Sequence, residues 1–119
     1  MSKRLEWLFG YTCADVARAA RARQEHHAER LAFWTEQAAQ AEGRLRTSGL
    51  EFRDVPISGG TRLDPVLDPQ LQLRLSECKG KVSEHRSAED AYARWGRILD
   101  VAPERVLELA LADVEYFGL

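Results

Sequence analysis

Three histidines and two cysteines, with the carboxylates beside them, are the side chains with which this chain could hold a metal or move a proton, and their spacing narrows the chemistry. Cys13 and Cys78 fit no CxxC pattern, and two cysteines do not make a disulfide framework. Cys78 falls on an apolar helical stripe, where a free thiol behaves as a small hydrophobe. A carboxylate-bridged metal bundle repeats Glu-x-x-His on two helices. That pair is absent, because Glu25 stands next to His26 and Glu84 next to His85. Gly59-Gly60 matches neither GxxxxGK[ST] nor GxGxxG, and the chain has no GxSxG and no HExxH. These searches leave one polar layer, Arg23 and His27 on one element with His85 and Glu89 on another. They assign no catalytic residue, no metal and no cofactor. As a metal or acid–base site this layer would use His27, His85 and Glu89. As a structural device it would fix the pairing of two helices, because buried polar groups penalise slipped registers.

The elements that must position this layer are two long helices. Residues 14–47 contain no Pro, and Val16, Ala20, Leu31, Trp34, Ala38, Ala41 and Leu45 recur at helical steps. Thr12 is a candidate N-cap, with Asp15 three residues on. A second helix over 68–99 starts at Asp68-Pro69, a good cap followed by a good first-turn residue. Its stripe is Leu71, Leu75, Cys78, Val82, His85, Glu89, Tyr92, Trp95 and Leu99, a heptad seam over the first seven members. Gly80 and Gly96 lie inside it, each costing about 1 kcal/mol of helix propensity unless it permits close backbone approach. Residues 48–67 read as a loop: Leu50, Phe52, Val55 and Ile57 look extended, Pro56 blocks helix, and Ser58-Gly59-Gly60 is a turn. Pro103 and Glu104 suit the start of a third helix over 103–117, with Val106, Leu107, Ala110, Leu111, Val114 and Phe117 on a wide apolar face. Setting Leu45 opposite Leu71 in an antiparallel pair brings His27 level with Glu89 and within about one turn of His85.

The expectation is a single all-α domain over 1–119: a long antiparallel, coiled-coil-like helical hairpin plus a short C-terminal helix. Two such helices bury only one narrow stripe each, so a second copy would complete the bundle. Trp7, Trp34 and Trp95, with Val106, Leu107, Leu111, Val114 and Phe117, are the candidate interaction residues.

Composition bounds the rest. Hydrophobic residues make up 45% of the chain and charged residues 30%, which supports both a core and a large solvated surface. The net charge of -2 argues against a general nucleic-acid binder. Arg18, Arg21, Arg23 and Arg30 are interleaved with Glu25 and Glu29, as on a solvated, salt-bridged face. Asp100, Glu104, Glu108, Asp113 and Glu115 stand against Arg105 alone, so the C-terminal segment is acidic. No run of apolar residues approaches a membrane span or a signal peptide, and the expected location is the cytoplasm. Fourteen Arg against three Lys suit a bacterial or phage origin. The function expected first is a non-enzymatic helical interaction or oligomerisation protein of the adaptor, assembly, inhibitor or immunity type: a homodimer with a protein partner and no membrane. The alternatives are a metal-binding or catalytic bundle using the His/Glu layer and, third, a small helical ribonuclease or nucleic-acid-binding protein.

Overall fold

The computed structural model describes residues 7–48, 52–65 and 69–119. Along the chain run β1 (Phe9–Thr12), α1 (Cys13–Ser48), β2 (Phe52–Ile57), β3 (Gly60–Pro65), α2 (Pro69–Leu99), β4 (Val106–Leu109) and α3 (Leu111–Phe117). The protein is mostly helical, and its two long helices pack together. Among the described residues no helix is long and apolar enough to cross a membrane. The chain divides into two compact units, one of residues 1–29 with 85–119 and one of residues 30–84.

Both long helices follow the expected stripes except at Trp95, which is exposed. On α2, Leu71, Leu75, Val82, His85 and Glu89 are half-buried and Cys78, Tyr92 and Leu99 are buried, whereas most residues between them are exposed. On α1 the buried positions are Cys13, Val16, Ala17, Ala20 and Ala41. α2 opens on Pro69 as expected, and its proposed cap, Asp68, lies outside the described residues, as do Gly49 and Leu50. A Cβ added at Gly43, Gly80 or Gly96 would meet nothing within 4 Å. These glycines therefore give no close approach, and their helix cost stands uncompensated.

In the first unit the all-α expectation is corrected. The helix expected over 103–117 is a turn, a strand and a seven-residue helix. β4 pairs antiparallel with β1, Phe9 opposite Leu109 and Tyr11 opposite Leu107. Val-Leu-Glu-Leu alternates exposed and half-buried side chains, the period of a strand. Leu107, Leu109 and Tyr11 pack on a core of Cys13, Val16, Ala17, Ala20, Tyr92, Leu99 and Phe117. Pro103 does not start a helix. Its carbonyl accepts from the Ala14 N–H (2.9 Å) and that of Arg105 from the Cys13 N–H (2.8 Å). Thr12 Oγ1 accepts from the Asp15 N–H at 3.2 Å, as its capping role requires. Three donors that an α-helix leaves orphaned are thereby satisfied. α3 ends in a Schellman motif: Gly118 N–H bonds to the Glu115 carbonyl, Leu119 N–H to that of Val114, and Gly118 sits at φ 70°.

In the second unit the loop expected over 48–67 contains a β-hairpin. β2 and β3 pair antiparallel with Ile57 opposite Gly60, leaving Ser58-Gly59 as a two-residue turn. Gly59 adopts φ 92°, which glycine alone takes without strain. Ala41 and Cys78 are buried in this unit.

Candidate functional site

The polar layer is built on facing turns of α1 and α2 in the first unit. His27 and His85 meet through their Nδ1 atoms at 2.9 Å. That contact needs one hydrogen between two nitrogens, so one ring donates from a protonated Nδ1 and the other is neutral and accepts through a bare Nδ1. Two imidazolium rings would instead present N–H to N–H. His27 also stacks on Tyr92, with ring centroids 5.6 Å apart and planes 11° apart, and Tyr92 stacks in turn on Tyr116 at 4.8 Å. Stripe positions 85 and 92 lie two turns apart on α2, so one His27 ring between them touches both. His26 lies edge-on to His27 at 5.1 Å.

Tyr92 ties this column to α3 by donating its hydroxyl to the Tyr116 carbonyl at 2.5 Å. Burial pushes the Tyr92 hydroxyl above the ordinary tyrosine range, the neighbouring Tyr116 adds to the rise, and Arg23 opposes it. Arg23 is half-buried and lies against α3, where a Cβ on Gly118 would fall 2.7 Å from its Nε. Glu89 is half-buried, and among the described residues it makes no hydrogen bond or ion pair with either histidine. The structure thus joins His27 to His85, places Arg23 on the Tyr92 side of the layer and leaves Glu89 apart from the imidazole contact. Among the described residues no three His, Cys, Asp or Glu side chains converge to hold a metal ion.

The histidine contact predicts a measurable tautomer. At a pH well above the histidine range, nitrogen NMR should show one of the two imidazoles as the Nδ1–H form. His85→Ala should remove that signal and cost about 1 kcal/mol, the net worth of one such bond. Two Nε2–H rings in the intact protein would contradict the contact.

The candidate interaction residues fall into three settings. Val114 and Phe117 are core residues, and Leu107 packs on that core from β4. Trp7 and Leu111 are largely exposed and, with Phe9, Ala110 and Ala112, line an apolar groove of about 410 Å³. Trp95 and Val106 are also exposed. A second groove, of about 390 Å³, lies between α2, β4 and α3, lined by Trp95, Leu107, Leu109, Asp113, Tyr116 and Phe117 among others. A third, of about 370 Å³, includes Trp95, Ile98, Val101 and Leu107. A single helix face over Val106–Phe117, the expectation from sequence, does not predict these grooves. The alternation of Val106–Leu109 is the sequence signal for the strand that lines two of them.

Trp34 belongs to the second unit. Arg30 and Arg74 lie 5.7 and 5.5 Å from its ring, and its buried indole N–H has no acceptor among the described residues.

No protein-family model matches this sequence, and comparison with curated proteins and with solved structures gave no significant match.

Proposed function

We propose that the protein is a non-enzymatic interaction protein of the cytoplasm that associates with a second copy of itself and presents its C-terminal segment to a protein partner. The observation carrying this reading is the open apolar surface of the first unit. Trp7, Ile98, Val101, Val106 and Leu111 are all more than half exposed, and Val101 reaches 83%. Soluble monomers seldom leave large contiguous apolar patches in water, and such patches mark docking surfaces. Aromatic side chains are the usual anchors of such surfaces, and Trp95 lines two of the grooves here. The two buried, free cysteines fit a reducing compartment.

The groove containing Ile98 and Val101 is where self-association is proposed. Val101→Glu places a charge there, on a residue that contributes little to the fold. Sedimentation should show the intact chain at twice its 13.5 kDa and the variant at the mass of one chain. A variant that stays dimeric would move the contact elsewhere on the surface.

A further inference from the structure

We infer that the groove between Trp95 and α3 receives a basic amphipathic segment of a partner protein, an apolar side chain entering the groove with Lys or Arg beside it. The inference rests on the interaction reading above and names the chemistry of the partner. The groove wall is apolar: Val16, Leu99, Leu107, Leu109 and Phe117, with the half-open rings of Trp95 and Tyr116. Asp113 is the charged residue of this lining, and it is exposed. Its volume, about 390 Å³, is enough for one large aliphatic or aromatic side chain.

Charge selects the sign of the partner. Glu104, Glu108, Asp113 and Glu115 belong to the same turn–β4–α3 segment, all are exposed, and Arg105 is its one base. Among the described residues none of these four acids forms an ion pair, whereas Asp15, Glu42, Glu84 and Asp100 each do. Of these acids Asp113 lines the groove, so an anionic partner would bring like charge against it, and a purely apolar one would leave it without a counter-charge. A cation held next to the groove would meet Asp113 while its apolar neighbour displaced water from Trp95 and Tyr116. Such a contact adds specificity and association rate, and it weakens with salt.

The test uses the intact chain and two fluorescently labelled peptides of one pattern, one of Leu and Lys and one of Leu and Glu in place of Lys. Anisotropy titration should show binding of the Leu/Lys peptide, at least tenfold weaker binding of the Leu/Glu peptide, and weakening with added salt. Asp113→Lys should weaken the Leu/Lys peptide at least tenfold, and Asp113→Asn by less. Asp113 is exposed, so both variants should keep the circular dichroism of the parent. Equal binding of the two peptides, no binding of either, or an Asp113→Lys variant that binds as the parent does would overturn the inference. Light scattering on the same samples separates the two failures. A dimer with no preference for the Leu/Lys peptide refutes this partner chemistry alone, and a monomer that binds neither peptide refutes the interaction reading with it.

Discussion

Phe117→Ala should cost about 3–5 kcal/mol of stability, the largest loss expected from a single truncation in this protein. Phe117 is 6% exposed, and its ring lies 5.8 Å from that of Trp95, 6.4 Å from Tyr92 and 4.9 Å from Tyr116. It is the residue through which the seven-residue α3 enters the core of the first unit. A helix this short has almost no stability of its own, so its position depends on this packing and on the Gly118 cap. A domain is stable by only about 5–15 kcal/mol in total, so the variant should lose much of its margin. Leu111→Ala, on the open side of the same helix, should cost less than about 1 kcal/mol. Urea unfolding of both variants measures the difference. Equal losses would mean that α3 is not anchored through Phe117.

The second large effect is alkaline. Folding raises the Tyr92 hydroxyl above its ordinary value because burial disfavours the phenolate, and Tyr116 adds to this. A raised pKa means that the folded state holds this proton more tightly than the unfolded chain does. Its contribution to stability is therefore fully present below the ordinary tyrosine value of about 10, and is lost as pH rises through the folded value. Loss of the proton also removes the donor to the Tyr116 carbonyl. The urea midpoint should fall between about pH 9 and pH 11 by more in the parent than in Tyr92→Phe. The variant should be less stable at neutral pH by about 1 kcal/mol, the worth of one hydrogen bond. Parallel curves would show that Tyr92 does not carry the alkaline loss.

Much of this fold is legible in the sequence, for a physical reason. α1 and α2 carry their signal locally: no proline within 14–47, a cap at Thr12, a start at Pro69, and stripes that repeat every three or four residues. The structure places them at Cys13–Ser48 and Pro69–Leu99. The His27–His85 contact is legible only to within about one turn, because setting Leu45 opposite Leu71 brings His27 level with Glu89, and the structure joins it to His85 instead. The C-terminal segment is different. Val106–Leu109 is a strand because β1 lies beside it, and β1 is at the other end of the chain. Read alone, the segment has enough Leu and Ala to pass for a helix, and Pro103-Glu104 imitates a helix start. The alternating aromatics Trp7, Phe9 and Tyr11 carry the matching strand period, but a strand of four residues acquires meaning only with its partner. The hairpin of β2 and β3 was hidden by Pro56 and Pro65, which are tolerated because a two-stranded ladder has two open edges. The Trp95 groove arises from packing β4 and α3 on α2, and no spacing along one element encodes it.

The proposal of a self-associating interaction protein meets its most direct test in the solution mass of the intact chain, measured by light scattering over a wide concentration range. The account predicts twice the 13.5 kDa of one chain, falling toward a single chain only on dilution. A mass of one chain at every concentration would contradict it, leaving the exposed Ile98 and Val101 without the second copy proposed to cover them.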